Sequence, residues 1–174
     1  MSILKVARLG HPVLLRRADP LTRRALASKR IQQLIDDMVE TMRDERGVGL
    51  AAPQVHVSVR LFVMDPGERA EGDAGKGLRV VVNPVLTFPG DAKIQLWEGC
   101  LSIPGLRGKT ERHAAVDVKY MDREGRARRA SFQGFPAAVV QHETDHLDGI
   151  LFVQRMPDLA RLAFEDQWQH IADA

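Results

Sequence analysis

The segment His142-Glu143-Thr144-Asp145-His146 holds the residues best suited to chemistry. On a helix, residues four apart lie one above the other, so the imidazoles of His142 and His146 can grip one ion from one face. Glu143 directly follows the first histidine, placed to handle the proton of an activated water rather than to serve as a ligand. A bound metal lowers the pKa of its water from 15.7 towards ~7, which yields a nucleophile at neutral pH. Asp145 reads either as a group holding the helix or a ligand in place or as an exposed acid. The bland alternative makes both histidines ordinary polar residues on a half-exposed helix.

A catalytic metal site wants three protein ligands and an open position. The extended pattern HExxHxxGxxH holds through Gly149, but its last position is Phe152, which cannot coordinate. Glu165 lies further downstream and could complete the site in a metallopeptidase arrangement. Cys100, the one cysteine of the chain, is the other candidate, since a thiolate is a soft ligand suited to iron or zinc. A lone cysteine is more often an inert buried residue, so both candidates stand at this point. The run Gly47-Val48-Gly49-Leu50-Ala51-Ala52 formally fits a dinucleotide-binding fingerprint. It is rejected: the polar, helical Glu40 to Arg46 precedes it instead of a strand, and Pro53 interrupts any helix opening there. A plain tight turn remains as the alternative.

Three helices and a set of strands must position these groups. Ile31, Leu34, Ile35, Met38 and Met42 recur at helical spacing within Ser28 to Asp44, and Gly47 and Gly49 end that helix. A second helix follows Gly134, takes Pro136 in its first turn, and runs to about Leu147, where Gly149 stops it. A third follows Pro157, with Asp158 as N-cap and Ala160, Phe164, Trp168 and Ile171 on one stripe. Between them lie β-rich runs over Arg60 to Met64, Arg79 to Phe88, Lys93 to Trp97, Ala114 to Tyr120 and Arg128 to Phe132. Asp65-Pro66-Gly67, Phe88-Pro89-Gly90 and Asp122 to Gly125 read as turns, and the polar stretch Gly67 to Gly77 as a mobile loop. This pattern predicts an α+β fold of mainly antiparallel strands, with no internal repeat and no linker, so residues 1–174 are expected to form one catalytic domain.

Composition agrees with a globular chain of 174 residues, 44% hydrophobic and 28% charged. With aromatics at only 5%, the core must come from aliphatic residues and methionine. The formal charge of +2 is too small to argue for nucleic acid as the main partner, and the short runs Arg16-Arg17, Arg23-Arg24 and Arg126 to Arg129 read as solvated faces. One cysteine excludes an intrachain disulfide. No apolar run approaches the ~18 residues needed to cross a bilayer, and no leader or transit peptide is recognisable. A cytoplasmic protein is expected, or one from an organelle with its presequence removed.

Three segments in order, Gly47-Val48-Gly49-Leu50-Ala51-Ala52-Pro53-Gln54, then Glu98-Gly99-Cys100-Leu101-Ser102, then Gln141-His142-Glu143-Thr144-Asp145-His146, resemble the signature motifs of the peptide deformylase family. The opening Val6-Ala7-Arg8-Leu9-Gly10-His11-Pro12-Val13-Leu14 also looks like that family's N-terminus, so the likeness covers most of the chain. It implies antiparallel sheets packed around a central metal-binding helix, with helices at both ends. Cys100, His142 and His146 would bind one divalent ion, Fe²⁺ in the cell, with Zn²⁺, Ni²⁺ or Co²⁺ able to replace it. Glu143 would be the general acid and base, with the Gln54 side-chain amide and the Leu101 backbone N–H stabilising the oxyanion.

The substrates implied are N-formylmethionyl peptides bound in extended form, with Val48, Gly49 and the residues around Gly105 to Arg107 lining the cleft. Ala138 and Val139 match the wall of the methionine pocket, though both also read as core residues. Glu98 and Arg112 match a pair of ions that steadies the Cys100 loop. Products would be formate and a peptide with a free amino terminus. The ribosome is a further implied partner, with transient contact. Here the chain departs from relatives with a basic C-terminal helix: Leu159 to Ala174 carries only Arg161 and His170 as basic residues. Pro136 and the polar loop near Gly72 to Gly77 are the other departures.

Overall fold

A computed structural model describes residues 2–67 and 77–172. The loop predicted across Gly67 to Gly77 lies almost wholly outside the described residues. Among the described residues, eight strands form two antiparallel sheets. The larger holds β1 (Gly49–Ala51), β2 (Leu61–Met64), β3 (Arg79–Thr87), β6 (Ala115–Met121) and β7 (Ala127–Gln133), in the order β1-β2-β3-β6-β7. The smaller holds β4 (Lys93–Cys100), β5 (Ile103–His113) and β8 (Leu162–Phe164), in that order. Three α-helices accompany them: α1 (Arg23–Leu26), α2 (Lys29–Asp44) and α3 (Gly134–Leu147).

Helix α2 is built as its periodicity predicts, with the Ser28 hydroxyl accepting from the Ile31 N–H as N-cap. It buries Ile31, Ile35, Met38 and Met42 against Leu50, Leu61 and Val63. Its end differs from expectation. The left-handed residue there is Arg46, at φ 55°, and the Gly47 N–H closes the turn onto the Met42 carbonyl.

Helix α3 is buried on nearly every side, as a helix enclosed between layers must be. Its apolar first half packs Val139 and Val140 with Phe62, Val116, Val118 and Phe132 of the larger sheet. Its second half buries Glu143, Asp145 and His146. Gly149, at φ 75°, follows the helix where an added Cβ would lie 2.8 Å from the Leu15 backbone carbon, so the chain needs glycine both for the turn and for the close approach.

Two corrections concern the smaller sheet. Strand β5 was not expected, because Pro104, Gly105 and Gly108 look like turn residues. Gly105 indeed takes φ 77°, but Gly108 sits inside the strand because Met156 and Phe152 press on its Cα from one side. Strand β4 correspondingly runs three residues further than predicted, so Cys100 closes a strand instead of sitting in a loop, at a register shift where it faces Ile103. The predicted third helix is absent as well. Asp158 caps as expected, accepting from the Ala160 N–H, but only a 3-10 turn over Leu159–Arg161 follows before the chain becomes β8. Pairing of β8 with the open edge of β5, Leu106 opposite Phe164, satisfies the backbone there and overrides the helical spacing. No helix among the described residues is long and apolar enough to cross a membrane.

Candidate metal centre and cleft

One turn of α3 and the end of β4 bring three potential ligands together. The ligand atoms of Cys100, His142 and His146 all lie within 4.8 Å of one another. Cys100 Sγ is 3.2 Å from Nε2 of His146. Nδ1 of His142 meets Oε2 of Glu98 at 2.6 Å, which leaves Nε2 of that ring to face the cysteine side. Burial opposes charge on Cys100, but the imidazoles of His146 and His142 beside it hold the thiol well below its ordinary pKa, favouring the thiolate that coordinates metals. Burial likewise opposes a charge on His142, while Cys100 and Glu98 raise its pKa well above the usual value. A soft sulfur, two imidazoles and compensating carboxylates suit a divalent transition-metal ion.

Glu98 is itself anchored. Arg112 grips it through two bonds of 2.7 and 3.0 Å, and the Thr110 hydroxyl donates to Oε1 at 2.5 Å. Arg112, only 4% exposed, also reaches Asp145, which Arg155 holds from the solvent side at 2.7 and 3.1 Å. The expected Glu98–Arg112 pair is therefore present, but it steadies His142 directly rather than only the turn at Cys100. Asp145 settles as a buried partner of Arg112, not an exposed acid.

Glu143 is 4% exposed, and its Oε2 finds no hydrogen-bond partner among the described residues. Burial raises its pKa to about 7, with the His142 and His146 rings pulling the other way. Its carboxylate lies flat against Gly49: a Cβ built there would collide with Oε1 and sit 2.7 Å from Cδ. Gln54 is equally buried and is oriented by its own backbone neighbourhood, accepting from the Ala51 N–H at 2.8 Å. Its amide nitrogen consequently points at Cys100 Sγ (3.5 Å) and Ser102 Oγ (3.2 Å).

A cleft of about 810 Å³ opens over these groups. Val48, Gly49, Leu101, Gly105, Arg107, Ala138 and Val139 all border it, together with Gln54, Cys100, His142 and Glu143. His146 lies beneath, 1% exposed. Ala138 and Val139 are also core residues, 2% and 5% exposed. A smaller cavity of about 420 Å³ behind α3, beside Gln141, Thr144 and Asp148, contains none of the ligand groups. Glu165 is not part of the Cys100, His142 and His146 group; its carboxylate pairs with Arg107 at 2.6 Å on the cleft wall. Sequence reasoning did not find Thr110, Arg155 or Phe135 at the site. They sit outside the motifs: strand pairing brings Thr110 near, the fold of the chain after α3 brings Arg155, and Phe135 borders the cleft from the first turn of α3.

The family model described as polypeptide deformylase matches residues 3–162. A peptide deformylase of Halothermothrix orenii is 44% identical over 156 residues, covering 90% of this chain and 95% of the relative. That of Thermus thermophilus is 44% identical over 164 residues, covering 89% and 83%. The solved Met-Ala-Ser-bound class I type b peptide deformylase from Acinetobacter baumannii superimposes with a TM-score of 0.82 at 42% identity, covering 88% of this chain and 98% of that one. Matched along nearly all of its length in sequence and in fold, the chain belongs to the polypeptide deformylase family.

Proposed function

We propose that this protein removes the N-formyl group from the N-terminal methionine of nascent polypeptides and releases formate, using Cys100, His142 and His146 to hold one divalent ion and Glu143 to move the proton. The observation that carries the reading is the buried carboxylate of Glu143, whose Oε2 has no hydrogen-bond partner among the described residues, beside a Cys/His/His cluster at the base of an open cleft. The ion, when bound, supplies the Lewis acidity that makes water a nucleophile at neutral pH. We assign Fe²⁺ as the cellular ion, since thiolate and imidazole ligands suit it, with Zn²⁺, Ni²⁺ or Co²⁺ able to take the same donors.

Glu143, buried beside the cluster with a free Oε2 among the described residues, can accept a proton from the attacking water and pass it to the departing amine nitrogen. Gln54, held by Ala51, presents its amide N–H toward the reacting side, and the Leu101 backbone N–H is the second donor for the oxyanion. Glu98 keeps His142 in one orientation and tautomer. Strands β1 and β4 are both sheet edges and both border the cleft, which suits an extended peptide pairing at Val48 and Gly49, with Gly105 to Arg107 of β5 forming a further wall. The methionine side chain would lie against Ala138 and Val139. The Acinetobacter baumannii relative was solved bound to Met-Ala-Ser, a peptide that begins with methionine. This reading has the enzyme work in the bacterial cytoplasm, meeting its substrates in transient contact with the ribosome.

Formate release from formyl-Met-Ala-Ser is the test. Activity that disappears on chelation, returns with Fe²⁺ under anaerobic conditions, and is lost in Glu143→Gln with metal still bound is the expected result. No formate from the metal-loaded wild type overturns the reading.

A further inference from the structure

Beyond residue 162, where the family model stops matching, the chain folds back along the cleft. Strand β8 pairs with β5, and the Glu165 N–H donates to the Gly105 carbonyl at 2.9 Å. The Glu165 carboxylate then takes the Arg107 guanidinium through bonds of 2.6 and 3.2 Å. That guanidinium lies over Gly99, the residue before Cys100, at distances a Cβ on Gly99 would reduce to 3.1–3.3 Å. Further on, Trp168 packs on Trp97 of β4 with ring centroids 5.3 Å apart, and Arg161 ties the end of the tail by donating to the Ile171 carbonyl. Arg107, Glu165 and Trp97 all border the cleft.

We infer that this C-terminal segment is a wall of the peptide site and that Glu165 is a specificity-determining residue, offsetting the charge of Arg107 so that the cleft does not select acidic residues after methionine. The inference rests on the peptide-site reading of the cleft given above. Arg107 and Glu165 are 36% and 56% exposed, so each stays within reach of a bound peptide. Paired, they present a near-neutral surface; with Glu165 neutralised, the guanidinium is a free fork that matches a carboxylate.

The experiment compares kcat/KM for formyl-Met-Ala-Asp, formyl-Met-Ala-Ser and formyl-Met-Ala-Lys in the wild type, Glu165→Gln and Glu165→Arg. Both variants keep the backbone bond to Gly105. The ratio of acidic to basic peptide is expected to rise about threefold to tenfold in Glu165→Gln and further in Glu165→Arg, and to shrink at high salt, as exposed charges require. Equal ratios in all three proteins overturn the inference, including a uniform fall in every rate, which marks a purely structural tail. Binding of the unformylated peptides gives a second readout, because Trp97 and Trp168, the two tryptophans of the chain, both stand at this wall and report through their fluorescence. The same graded ratio is expected in Kd. If the wild type releases no formate, the deformylase reading fails, while the fluorescence titration still decides this one.

Discussion

Oε2 of Glu98 lies 2.6 Å from Nδ1 of His142, so the strand that ends in one proposed metal ligand also orients another from behind. The contact selects the tautomer that leaves Nε2 for the ion and raises the basicity of the ring. Replacing Glu98 with Ala should weaken metal affinity about 10- to 100-fold. Competition against a chromogenic chelator measures it, and an unchanged dissociation constant refutes the role.

Arg112 stands one step further out, bonded to both Glu98 and Asp145 and 4% exposed. Arg112→Ala leaves two buried carboxylates facing each other without their shared cation. Loss of one partner from a buried ion pair costs about 3–5 kcal/mol. The variant should therefore unfold at markedly lower denaturant and also retain metal poorly. Wild-type unfolding together with wild-type metal content would show that the network is dispensable.

Cys100 and Glu165 offer a cleaner choice between ligand sets. Cys100→Ala should lose stoichiometric metal, whereas Glu165→Gln should keep it, because that carboxylate is occupied with Arg107 on the cleft wall. Metal analysis of both proteins after dialysis decides the matter. Retention by the first and loss by the second reverses the assignment.

How much of this is legible before folding depends on whether an arrangement is local. His142, Glu143 and His146 share one helical turn, so the period of the helix alone places them. The Asp122–Gly125 turn is likewise local: its aspartate accepts from the N–H groups of Glu124 and Arg126, and Gly125 takes φ 76°. Strand β5 is illegible because Gly108 serves neighbours rather than a turn: it is small for the sake of Met156 and Phe152, far along the chain. The stripe Ala160, Phe164, Trp168 and Ile171 has helical spacing, yet the open edge of β5 and the ring of Trp97 dictate strand and 3-10 turns there. Resemblance supplied Cys100 as a ligand, which spacing alone left undecided against Glu165.

Asp122 permits a prediction with a definite sign. Burial opposes its charge, but Arg128 and Arg126 more than compensate and lower its pKa from 3.8 to about 2. Between those values the unfolded chain binds the proton first, so the stabilisation is complete above about pH 4 and is lost as pH falls through the folded value. Its side chain is 16% exposed and its arginine partners are far more so, which keeps the effect to about 1 kcal/mol. Asp122→Asn should lower the melting temperature at pH 7, and the difference should close as the pH approaches 2. A difference independent of pH would assign the effect to the turn and not to the charge.

Gly49 and Glu143 are packed so closely that the glycine sets where the carboxylate can be. A methyl group at position 49 collides with Oε1 and lies 2.7 and 2.9 Å from Cδ and Cγ. Glu143 cannot retreat into the core, since the helix that carries it packs Val139, Val140 and Leu147 into one cluster with Phe62, Val116 and Val118 of the larger sheet. In Gly49→Ala the carboxylate must therefore swing toward the cleft. A displacement of about 1 Å at a proton-transfer group costs on the order of 10²-fold in rate. None of the ligand atoms is touched, so metal content should stay at the wild-type level while kcat for formyl-Met-Ala-Ser falls by about that factor. Parallel metal analysis and steady-state kinetics separate the two effects. A kcat within twofold of wild type would mean that Glu143 reaches its working position without the space that Gly49 leaves.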